Sequence, residues 1–172
     1  MGVQGQEEQD LSSVRLCALG YSQIPGIDFS DNVAPVFHDV TFQIVLTRKL
    51  VEKVSSKTID VETAFLYGDL DEEIYMEIPK GYDEAHPDEN TDGLCCLLNK
   101  AMYGLVQAAR QFWKKFVTEF VKQGFEANEA DPCLLYCKNE LGICLVVMYV
   151  DDMLIVENEE SIKMFQENWK SV

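Results

Sequence analysis

A chain of 172 residues with 47% hydrophobic content is long enough for one domain, or part of a larger one, with a core of its own. Its longest apolar run, Ile143 to Val150, is far short of the roughly 18 residues a membrane span needs, and the opening MGVQGQEEQDLSS is acidic and polar where a secretory signal would carry an apolar stretch. A net charge of −16 disfavours non-specific nucleic-acid binding, because affinity for phosphate comes from Lys and Arg.

Residues 1–13 are polar and without periodicity, so a disordered tail is expected there, and Val14 to Leu19 predicts a short strand. YSQIPGIDFSD reads as a loop turning at Pro25 and Gly26. From Val40 to Val54, Ile44, Val45, Leu50, Val51 and Val54 recur at helical spacing behind Asp39 as N-cap, which predicts a first core helix. Thr58 to Thr63 alternates as a strand, with Ile59 and Val61 on one side and Asp60 and Glu62 on the other. EEIYMEI and LCCLL predict two more short strands, separated by the loop GYDEAHPDENTDG.

The strongest helix signal covers Gln107 to Gln123. Phe112, Phe116 and Phe120 fall at i, i+4 and i+8, and Gly124 supplies the stop. CLLYCKNELGICLVVMYV then reads as strand, turn at NELG, strand; MLIV returns from a hairpin tip, and ENEESIKMFQENWKSV starts another helix. The order fits an α+β fold: an antiparallel sheet with helices on one face. Six cysteines match no zinc-ligand spacing and are expected as thiols in a cytoplasmic or nuclear, non-secreted protein.

Charge is unevenly distributed. Asp60 to Asp92 holds twelve acidic residues against Lys80, whereas Arg110, Lys114, Lys115 and Lys122 face only Glu119, so any basic face is expected on that later helix.

Asp151 and Asp152 interrupt the apolar run LVVMYVDDMLIV, and a buried carboxylate is costly unless paired, hydrogen-bonded or bound to metal. Asp60 lies near the end of its own strand; if that strand lies beside the hairpin, the acids converge and need a cation between them. Hard oxygen ligands suit Mg²⁺, and two such ions about 4 Å apart support in-line phosphoryl displacement. The competing reading makes Asp151 and Asp152 a simple turn and Asp60 a solvated strand end.

Four ordered blocks then carry a resemblance. RLCALGYSQIPGIDFSDNVAPV, IDVETAFLYGDLDEEIYMEIPKGY, LLNKAMYGLVQAARQFWKKF and MYVDDMLI are collinear, from about Val14 to Val156, with blocks of the reverse transcriptase domain of copia-type LTR retrotransposon Pol polyproteins. The resemblance implies a polymerase palm-like sheet with partial fingers over residues 14–172, thumb and RNase H being absent from this stretch. It implies an RNA-directed DNA polymerase adding dNTPs to a primer-template, with Mg²⁺ (or Mn²⁺) as cofactor and the rest of a Pol polyprotein as partner.

Carried over by position, the resemblance implies that Asp60 and Asp151 bind the catalytic ions, Asp152 is the neighbouring acid, and Val61 offers its backbone carbonyl. Phe65 would face the sugar, Gly104 and Gln107 would lie near the templating base pair, and Arg15 would approach the triphosphate. Departures cluster on cationic positions: Ser13, Leu19 and Val106 stand where that family usually has Lys or Arg, and Ala109 replaces a proline. These losses leave a second reading open, an inactive relic or an acidic interaction module.

Overall fold

The computed structural model describes residues 15–140, 142–158 and 162. The expected N-terminal tail and most of the expected C-terminal helix lie outside them, as does Leu141 of the NELG turn. Helix α1 (Asp39–Glu52) leads into β1 (Ser55–Asp60), β2 (Tyr75–Met76), a single turn α2 (Tyr82–Ala85) and β3 (Cys96–Leu97). Helix α3 (Ala108–Lys122) is followed by β4 (Glu126–Ala127), β5 (Leu134–Asn139), β6 (Gly142–Tyr149) and β7 (Asp152–Glu157). Five strands form one antiparallel sheet in the order β1-β7-β6-β5-β4, and β2 pairs with β3 separately.

The phenylalanine spacing of α3 does what its period predicts. Phe112, Phe116 and Phe120 are buried against Val146, Met148, Met153 and Ile155 of the two central strands. Phe120 packs on Phe116 in a tilted arrangement at 4.3 Å and meets the edge of Phe125 at 5.0 Å, a ring after the helix stop at Gly124, whose φ is +88°.

The other sheet face receives α1, not bare solvent. Val45 packs against Val147 and Val156, which point away from Val146 and Ile155 because side chains alternate along a strand. The expectation of helices on one face is therefore corrected: one helix lies on each side. The expected core face of α1 is corrected too, since Val45 is 1% exposed but Ile44, Leu50 and Val51 are 62%, 75% and 74% exposed. Asp39 opens that helix from within, and the N-cap is His38, whose amide is held by the Asp131 carboxylate at 2.9 Å.

Residues 15–19 form no strand. Among the described residues no strand pairs with them, and the Ala18 amide donates to the Tyr103 carbonyl at 2.7 Å instead. The first sheet strand runs three residues earlier than predicted, ending at Asp60, because Thr63 takes a left-handed φ of 55° and opens a 3-10 turn at Ala64–Tyr67. All six cysteines are free thiols; burial pushes the Cys133 thiol up to about 12, which keeps it protonated and inert.

Candidate active site

Three carboxylates reach one end of the sheet. Asp60, the last residue of β1, is the direct cross-strand partner of Asp152, the first residue of β7. Directly opposed residues in an antiparallel pair lie about 4.5–5.5 Å apart at Cα, so two like charges face each other there. Asp152 is also opposite Tyr149, leaving Val150 and Asp151 as a two-residue turn. The Val61 amide donates to the Asp151 carbonyl at 3.1 Å, tying the end of β1 to that turn.

The turn is strained. Val150 sits at φ +57°, a left-handed conformation that a β-branched residue adopts only under constraint. Val150→Asn, which tolerates this conformation, is expected to raise stability by about 1 kcal/mol, read as a higher urea midpoint at unchanged slope.

Among the described residues, no side chain makes an ion pair or hydrogen bond to Asp60, Asp151 or Asp152, and no group of three or more His, Cys, Asp or Glu is placed to hold a metal ion. The donor set does suit Mg²⁺ in its usual mode, one or two carboxylates with the remaining positions filled by water and substrate. The Val61 carbonyl already accepts from the Ala64 amide at 3.2 Å and keeps one lone pair.

The other site candidates form a second group beside the 3-10 turn. Phe65 is half-buried and meets the Tyr103 ring at 4.8 Å, while the Arg15 guanidinium covers the same ring at 4.1 Å. Tyr103 was not singled out from sequence; its place in MYGL, next to Gly104, was the available signal. Gly104 has φ +92°, and a Cβ there would overlap the Ala18 carbonyl oxygen.

Gln107 is fully buried rather than facing an open cleft. Its amide nitrogen donates to the Asp28 carbonyl at 3.0 Å, and its oxygen accepts from Gln23 at 3.0 Å. Gln23 in turn accepts from the Val106 amide at 2.8 Å. This exchange fastens the 23–28 loop to the start of α3, and Gln23 was missed because the contact joins residues 83 and 84 positions apart.

The expected basic face is internally neutralised. Asp69 pairs with Lys100 and, at 3.2 Å, with Lys115; Asp71 pairs with Lys114 and accepts from Gln111; Arg110 pairs with Asp31 at 2.6 Å; Lys122 pairs with Glu119 at 2.9 Å. The hydrogen bond from Lys100 holds the Asp69 carboxyl below its ordinary range, and that from Lys114 does the same for Asp71.

Comparison with known proteins decides the family. Residues 4–171 match the family model described as reverse transcriptase (RNA-dependent DNA polymerase). The chain belongs to that family. It is 37% identical over 149 residues to the retrovirus-related Pol polyprotein from transposon TNT 1-94 of Nicotiana tabacum, covering 86% of this chain and 11% of the relative. It is 36% identical over 146 residues to the corresponding polyprotein from transposon RE2 of Arabidopsis thaliana, covering 84% and 10%. The RE1 polyprotein of the same plant is 32% identical over 148 residues, covering 86% and 10%. This reverse transcriptase-family chain thus spans about a tenth of the length of these curated relatives. No solved structure matches it. Among the described residues no helix is long and apolar enough to cross a membrane.

Proposed function

We propose that this chain is a partial fingers and palm domain of a copia-type Pol polyprotein, with the sheet end at Asp60, Asp151 and Asp152 as its nucleotidyl-transfer site. The observation that carries the proposal is the pairing of Asp60 with Asp152, reinforced by the Val61–Asp151 hydrogen bond. It unites Asp60 with Asp151 and Asp152, which stand 91 and 92 positions further along the chain.

In this reading Asp60 and Asp151 hold the divalent ion, Mg²⁺ or Mn²⁺, with the Val61 carbonyl as a third oxygen donor and Asp152 as the adjoining acid. When bound, such ions activate a primer 3′-hydroxyl and stabilise the leaving oxygens of the triphosphate. Phe65, backed by Tyr103, presents an aromatic wall to the sugar of the incoming dNTP, and Arg15 above Tyr103 supplies positive charge for its phosphates. Gly104 allows close backbone approach, and Gln107 acts by holding the 23–28 loop in place. The partners are an RNA or DNA primer-template and the remainder of the polyprotein.

A second reading, an inactive relic or acidic interaction module, is favoured by the pairing of each cation on the expected basic face with an acid. Primer extension on oligo(dT)-primed poly(rA) with Mg²⁺ or Mn²⁺ separates the two. Polymerase function predicts extension by the native chain and none by Asp151→Asn; a folded native sample that extends nothing transfers the case to the relic or module.

A further inference from the structure

We propose that residues 69–72 form an acidic strap masking a latent surface of Lys100, Lys114 and Lys115, whose partner is the phosphate backbone of a nucleic-acid duplex. The inference rests on the polymerase reading for the choice of partner. Its structural basis is independent of the carboxylate edge.

The strap is anchored by backbone, so its acids are delivered to the cations. The Gly68 carbonyl accepts from the Ala101 amide at 2.9 Å, and a Cβ at Gly68 would lie 3.0 Å from both the Gln111 Cβ and the Phe112 amide nitrogen. The chain therefore passes in close contact over the first turns of α3. From there Asp69 reaches Lys100 and Lys115, and Asp71 reaches Lys114. Further along, the Glu72 carboxylate accepts from the Ser30 amide and hydroxyl, joining the strap to the loop whose Asp31 pairs with Arg110.

Two properties make this a mask and not a structural clasp. The ion pairs are on the surface, with Asp69 and Asp71 side chains 59% and 54% exposed, and pairs so exposed contribute little to folding. Each lysine makes a charge-assisted bond to a carboxylate oxygen, and a phosphate oxygen can take that place with the same geometry. On α3, Lys114 and Lys115 are neighbours, and Lys115 shares Asp69 with Lys100, so the released lysines form one group beside Arg110, which stays paired with Asp31.

The test is fluorescence anisotropy of a labelled RNA–DNA oligonucleotide duplex titrated with the full chain in EDTA, comparing native protein with Asp69→Asn/Asp71→Asn. Lys100 and Lys114 lose their carboxylate partners and Lys115 keeps only Glu119 at 3.7 Å, so the variant is expected to bind on the order of tenfold tighter at low salt. The slope of log affinity against log salt should steepen by about 2–3, each phosphate neutralised contributing up to ~0.9. Asp88→Asn/Asp92→Asn, with the same change in net charge, should bind as the native chain does. Adding Lys100→Ala, Lys114→Ala and Lys115→Ala to the strap variant should remove the gain.

A folded strap variant that binds no tighter overturns the proposal, as does an equal gain from the control pair or a gain that survives loss of the three lysines. EDTA silences any metal site, so these outcomes are distinct from failure of the polymerase reading, which primer extension judges.

Discussion

Replacing Gly104 with alanine is expected to destabilise the protein by ~3 kcal/mol or more, a large part of a stability of about 5–15 kcal/mol for a domain. Two effects add. At φ +92° an L-residue is strained, which costs about 1–2 kcal/mol. The new methyl would also overlap the backbone of Ala18, where a reciprocal glycine, Gly20, is packed against the Gly104 carbonyl. Backbone on both sides leaves no flexible side chain to yield. Gly93→Ala separates the two effects, because Gly93 has φ +74° with open space around its Cβ position. Guanidinium denaturation should show the Gly93 variant losing only the strain term and the Gly104 variant losing at least ~2 kcal/mol beyond it. Equal losses would show that the contact between residues 18–20 and 103–106 is loose.

Phe120→Ala is expected to have the largest effect in the core, about 3–5 kcal/mol. The ring is fully buried, packs tilted against Phe116 and edge-on with Phe125, so truncation leaves a cavity bounded by rigid aromatic groups. The helix side chains around it cannot collapse without moving α3 off the sheet. Phe120→Leu, retaining most of the volume, should lose less than half as much in the same denaturation experiment. If alanine and leucine variants match, the ring packing contributes little and the helix is held elsewhere.

The two helices explain why part of this fold was legible in the sequence and part was not. In α3 the large apolar residues occupy one stripe, and Lys114, Lys115 and Lys122 take the solvent side, so the period identified the buried face. In α1 apolar residues surround the axis, and periodicity could not choose a side. Tertiary contact with Val147 and Val156 selected Val45 alone for burial.

Site residues divide in a similar way. The alternation identified Ile59 and Asp60 as strand residues but not that the strand stops at Asp60, since the left-handed Thr63 that follows has no periodic signal, and the DD dipeptide marked the hairpin tip. Contacts between distant segments were invisible: Arg15 on Tyr103, Gln23 on Gln107, and Asp69 and Asp71 on the α3 lysines. Counting charges along the chain gave a basic segment, but not the acids that fold onto it.

Whether Asp60 and Asp151 share a divalent cation is read by Mn²⁺ binding followed by electron paramagnetic resonance. Shared ligation predicts that Asp60→Asn and Asp151→Asn each abolish binding and that the double variant is no worse than either single one. Native-like Mn²⁺ binding by both single variants would contradict it and leave the sheet end as a pair of opposed surface acids.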